Sequence, residues 1–144
     1  MFKSARRAAL LVGSLALVYM ASGCAIPQRE LSDEEALKNI LSTYVTSLEE
    51  ANADKHLSVF SKDFVGASGE TYEEVAQGLG QLLPTFEELG MEISTDEAEI
   101  AIEGNEAEIG PILFEFSQGS AAMTLFTTKE DDGCWRLTGT EMGQ

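Results

Sequence analysis

The 144-residue chain holds one histidine, two cysteines and nine lysines and arginines against 25 aspartates and glutamates. Each scarcity excludes something. Phosphate contacts need clustered Lys and Arg, which nine scattered basic residues do not supply, so nucleic acid is ruled out as a partner. The formal net charge of −16 also repels anionic headgroups. One histidine and, once Cys24 is modified as argued below, one cysteine cannot assemble a zinc site of nitrogen and sulfur ligands. Asp131 and Asp132 lack the alternating carboxylates of a calcium loop and read as turn residues. Gly78 and Gly80 lie inside a helical pattern, not after a strand, so no phosphate-binding loop is implied. No metal or cofactor is expected, and His56 reads as an exposed or packed structural histidine.

What is there divides into a leader and one domain. MFKSARR carries Lys3, Arg6 and Arg7, followed by the apolar run AALLVGSLALVYMA and then small residues, the three regions of an export signal. Removing Met1 to Gly23 leaves six basic against 25 acidic residues, a net charge of −19. The segment Ala21-Ser22-Gly23-Cys24 resembles the lipobox of bacterial lipoproteins, with Ala21 where leucine is usual. That resemblance implies diacylglycerol on the Cys24 sulfur, cleavage before it and acylation of the new amino group; anchoring of this kind needs more than one chain. Ala25 in place of aspartate implies the periplasmic face of the outer membrane of a Gram-negative envelope. An uncleaved membrane anchor over Ala8 to Ile26, ordinary cleavage near Ala21, and a disulfide between Cys24 and Cys134 are the other readings. If Cys24 is lipidated, Cys134 is left alone and reads as a buried, inert thiol.

The expected layout is a signal peptide over 1–23, a tether over 24–31 broken by Pro27, and one domain over 32–144. Ser32-Asp33-Glu34-Glu35 is a capping box that opens a helix. In it Leu37, Ile40, Leu41, Tyr44, Val45 and Leu48 form one stripe. NADKHLSVF suggests a short second helix capped by Asn52 or Asp54, with Phe64 and Val65 briefly extended after it. Thr71-Tyr72-Glu73-Glu74 opens a third helix that Pro84 should kink or end, with Gly90 beyond as a stop. After Gly90 the period becomes two, as in an antiparallel sheet. Apolar residues fall at Ala107 and Ile109, then slip phase to Ile112, Phe114 and Phe116, which predicts a bulge or bend at Gly110-Pro111. Glu130-Asp131-Asp132-Gly133 is a hairpin before Trp135. The class is α+β: N-terminal helices packed in a strongly bent antiparallel sheet of about four strands.

YVTSLEEANADKHLSVFSKDFV and the closing hairpin EDDGCWRL resemble the nuclear transport factor 2-like superfamily, which includes SnoaL-like proteins and ketosteroid isomerase. The resemblance implies a cone-like fold around an apolar pocket, with Tyr44, Phe60, Phe64, Phe114 and Trp135 as its candidate wall residues. Tyr44 falls where ketosteroid isomerases keep the tyrosine that donates to a developing oxyanion. The general-base position falls on Ser68, however, and the buried acidic partner falls near Thr124. Neither replaces a carboxylate, so the chemistry lacks its base and half of its donor pair.

The expectation is a lipid-anchored, periplasm-facing protein that binds a small apolar ligand or a protein partner without catalysis, as a monomer or weak dimer. Two alternatives stand beside it: an isomerase, cyclase or hydratase using Tyr44, and an envelope assembly or stress module whose acidic surface meets a basic protein.

Overall fold

Reciprocal caps start both long helices. In the computed structural model, which describes residues 31–143, the Ser32 hydroxyl accepts from the Glu35 amide at 3.2 Å while the Glu35 carboxylate accepts from the Ser32 amide at 3.3 Å. Helix α1 runs from there over Asp33–Glu49. Its three acidic residues in the first turn complement the helix dipole. Ala36, Leu37, Ile40, Tyr44, Ser47 and Leu48 are its buried face. The leader, Cys24 and the tether up to residue 30 lie outside the described residues. Among the described residues no helix is long and apolar enough to cross a membrane.

Asn52 caps the short helix α2, Ala53–Leu57, and strand β1, Phe60–Val65, follows. The strand begins four residues before the extended piece expected at Phe64, because both of its ends pair with the strand that closes the sheet. Thr71 and Glu74 form the second capping box, at 3.4 and 2.8 Å, and open helix α3, Tyr72–Glu88. Pro84 lies inside this helix and does not end it, one of the two outcomes expected of it. Proline removes the bond to the Gly80 carbonyl, but Gly80 and Pro84 are both exposed, so water can satisfy the freed oxygen. Leu83 and Phe86 pack on the core to either side. Gly90 then turns the chain with φ +62°.

The sheet has six strands where about four were expected. β2 (Glu92–Ser94), β3 (Glu99–Glu103), β4 (Glu106–Phe116), β5 (Gly119–Lys129) and β6 (Trp135–Gly143) pair antiparallel, and β1 joins β6 in parallel. The order is β1-β6-β5-β4-β2, with β3 also on β4. β2, which was not foreseen, and β1, foreseen only as its last two residues, are short and carry no clean alternation.

The phase slip in β4 is a bulge. Ile109 faces Leu125 and Ile112 faces Met123, so three steps on β4 match two on β5. Apolar residues on both sides of the slip therefore reach the same face: Ala107, Ile109, Ile112 and Phe114 are all buried. The same point divides the other edge of β4, where β3 covers Glu106 to Gly110 and β2 covers Leu113 to Glu115. A second shift lies where Phe126 and Thr127 meet Gly139 and Leu137. Bulges sharpen local twist and bend the strand, and the result is a curved, unclosed sheet with the helices packed against it.

Leu37, Ile40, Ile109, Ile112, Leu125 and Leu137 are fully buried where α1 meets the sheet. Trp135 is buried beside them, and its indole N–H donates to Asp33 Oδ1 at 2.9 Å. Cys134 is also buried.

Candidate functional site

A cavity of about 260 Å³ lies between the helices and the concave face of the sheet. Most of its wall follows from the periodicities above: α3 contributes Val75, Leu79 and Phe86, and β4 contributes Phe114 and Phe116. Tyr44, Phe60 and Phe64 come from α1 and β1. Phe60 and Phe64 sit edge to face, with ring centroids 4.7 Å apart. Trp135, expected at this wall, is not part of it. Its indole N–H is drawn instead to Asp33 at the start of α1, which places the ring in the core.

Three polar side chains organise the end of the cavity beside α1. Ser47, one turn after Tyr44, donates its hydroxyl to the Tyr44 carbonyl at 2.8 Å. Its oxygen also lies 2.8 Å from His56 Nδ1. A hydroxyl has one proton, and here it has two acceptors within reach, the carbonyl and Nδ1. With the proton on the carbonyl, the imidazole donates from Nδ1 and Nε2 keeps a lone pair. Tyr44 and His56 rings lie 4.6 Å apart, tilted by 44°, and the Tyr44 hydroxyl donates to Met123 Sδ at 3.3 Å.

Burial sets the charge state of both rings. It pushes the Tyr44 hydroxyl well above the ordinary phenol range. It lowers His56 to about 4, partly opposed by the Tyr44 carbonyl, which favours the protonated ring. At neutral pH the site is thus a phenol and a neutral imidazole.

The expected carboxylate positions do not reach this site. Ser68 is exposed in the turn after β1 and donates its amide to Glu70 Oε2 at 3.0 Å. Thr124 sits on β5 against Gly110. Neither borders the cavity. Glu70 is the one charged residue on its wall, and the wall has no lysine or arginine. Sequence reasoning missed His56 and Ser47 as a pair, since nine residues and a helix break separate them and only packing brings them together.

A larger hollow of about 480 Å³ lies against β3, β4, β5 and β6. Glu103, Glu106, Glu108, Thr128 and Thr138 are among its lining residues. It gathers no aromatic cluster, so the interior cavity is the candidate site. Among the described residues no group of three or more His, Cys, Asp or Glu is placed to hold a metal ion.

No known protein family matches the chain by sequence profile, and no curated protein matches it. Solved structures do match. A protein of unknown function with a cystatin-like fold from Nostoc punctiforme is 22% identical, with a TM-score of 0.60 over 76% of this chain and 89% of its own. A proposed ketosteroid isomerase from Shewanella frigidimarina is 17% identical, with a TM-score of 0.63 over 75% and 94%. An NTF-2 like protein of unknown function from Shewanella oneidensis is 15% identical, with a TM-score of 0.60 over 78% and 100%. Helices packed on a curved, unclosed sheet, a bulged central strand and these structural neighbours together make this a domain of the nuclear transport factor 2-like fold.

Proposed function

We propose that the protein is a lipid-anchored component of the cell envelope, facing the periplasm, whose domain binds a small apolar molecule without transforming it. The binding reading rests on one observation: the cavity is walled by aromatic and aliphatic side chains, and its two interior polar groups are uncharged. Sites of this kind bury most of a ligand's surface and orient it with few polar contacts. Proton abstraction would need a base of suitable pKa beside a donor pair. Here the Tyr44 proton is engaged by Met123, and Ser68 and Thr124 stand away from the cavity.

The anchor rests on residues 1–24 alone, through the charged start, the apolar run and Ala21-Ser22-Gly23-Cys24. A sulfur in a thioether cannot also hold a disulfide, so lipidation of Cys24 and a bond from it to Cys134 exclude each other. Mass spectrometry of the protein extracted from its own membranes tests both halves of the proposal. The expected result is an N-terminal Cys24 carrying diacylglycerol and a further acyl chain, with a small apolar molecule retained under native conditions. A Cys24–Cys134 peptide would overturn the anchor. Absence of any bound molecule, with no thermal shift across a broad apolar library, would overturn the binding.

A further inference from the structure

We propose that the cavity selects an uncharged apolar molecule carrying a hydroxyl head, and that His56 Nε2 is the acceptor for the proton of that hydroxyl. The inference deepens the binding reading and rests on it.

The polarity of the site follows from its hydrogen bonds. With the Ser47 proton on the Tyr44 carbonyl, we assign His56 Nδ1 as the donor across the 2.8 Å contact. Nε2 is left as a pure acceptor. His56 is 4% exposed, yet Nε2 has no partner among the described residues. Every fully enclosed side-chain nitrogen and oxygen among those residues is paired. Nε2 must therefore border open space, and the space that His56 borders is the cavity. Buried acceptors are costly when unmade, so an occupant that offers a proton there is favoured over one that does not.

Tyr44 does not reverse this polarity. Its own proton goes to Met123 Sδ, a weak acceptor, while its oxygen can accept. The charge of the occupant is restricted as well. A carboxylate would be buried with no lysine or arginine on the wall and with Glu70 as the nearest charged residue. An ammonium would find a single carboxylate, Glu70, on an otherwise apolar wall and would lose its hydration there. A hydroxyl meets the requirement without charge. The cavity, about 260 Å³, exceeds the roughly 150 Å³ that accommodates a benzene ring in an apolar protein interior. It therefore has room for a medium-sized hydrocarbon body behind the head group.

Because His56 is the only histidine, the experiment needs no assignment. The full-length protein labelled with ¹⁵N-histidine is titrated with 1-octanol, octyl methyl ether and octanoate, and both ring nitrogens are followed by NMR. The expected spectrum shows a protonated Nδ1 and an unprotonated Nε2 at neutral pH. Octanol should shift Nε2 and bind about fivefold more tightly than the ether, the margin of one ordinary hydrogen bond, and octanoate should bind most weakly. Ser47→Ala frees the ring to place its proton on Nε2 and should erase the preference for the alcohol while the ether still binds. A proton on Nε2 in the unaltered protein, equal binding of alcohol and ether, or a preference for octanoate would overturn the inference and leave the apolar cavity intact. If none of the three binds, the cavity reading itself falls.

Discussion

Trp135 and Asp33 are 102 positions apart, and a 2.9 Å hydrogen bond joins them. The same carboxylate oxygen accepts from Lys129 Nζ at 3.0 Å, so the first turn of α1 is fastened to the ends of β5 and β6 by one side chain. The Trp135 indole first, and Lys129 second, hold the Asp33 carboxyl below its ordinary range. A carboxylate depressed in this way stabilises the fold above its unfolded pKa and loses that contribution as pH falls through its folded one. Asp33→Ala should cost about 1–2 kcal/mol, the scale of hydrogen bonds to a charged group reduced for its exposure to water, measured by urea unfolding at neutral pH.

His56 gives a larger pH effect at a higher pH. Its folded pKa, about 4, lies below the ordinary histidine value of 6.5, so between these values the unfolded chain binds the proton and the folded one does not. Stability therefore rises with pH across that window and is fully present above it. Lowering the pH from about 7 to about 5 should remove roughly 2 kcal/mol through this ring alone. Urea unfolding of the parent and of His56→Gln at the two pH values checks it; equal losses in both would refute the assignment.

Gly110 marks the bend where no side chain fits. A Cβ there would lie 2.9 Å from Thr124 Oγ1 and 3.1 Å from the Met123 carbonyl oxygen. Gly110→Ala should destabilise by about 1–3 kcal/mol, as overpacking does. Adding Thr124→Ala should recover only part of the loss, because the backbone contacts with Met123 and Thr124 remain. Thermal unfolding of the single and double variants separates the two contributions.

Tyr44→Phe tests how much the hydroxyl does. It removes one bond to a weak sulfur acceptor and keeps the ring packed against His56 and Phe60. The fold should lose no more than about 1 kcal/mol, and octyl methyl ether should bind as before. A collapse of ether binding would mean that the phenol, not the apolar wall, holds the ligand.

Much of this architecture was legible wherever a residue's role is local. Ser32 with Glu35 and Thr71 with Glu74 announce helix starts, because the cap and its partner lie within one turn. The change of apolar phase across Gly110-Pro111 announces the bulge, because alternation can shift only by inserting a residue. Pro84 left open whether its helix ends, since its cost depends on whether the carbonyl it frees faces water, which spacing does not record. β1 was clipped because pairing with a strand more than 70 residues later, Phe60 with Leu137 and Val65 with Gly139, holds it. Trp135 looked like a pocket wall because large aromatics line such cavities, but its polar edge was answered by Asp33. The Ser47 and His56 pair was invisible for the same reason as β1: contact across a helix break leaves no periodic trace.

The parallel seam between β1 and β6 governs when the domain can form. β1 is made before five of the six strands, yet its neighbour in the sheet, β6, is made after all of them. Phe60 and Val65 therefore wait for Leu137 and Gly139, and the oily stripe of α1 waits with them. Long-range pairing of this kind is slow and leaves apolar surface uncovered in the meantime. A chain that ends before Trp135 should therefore be an aggregation-prone fragment and not a smaller domain, which light scattering of the truncated protein checks.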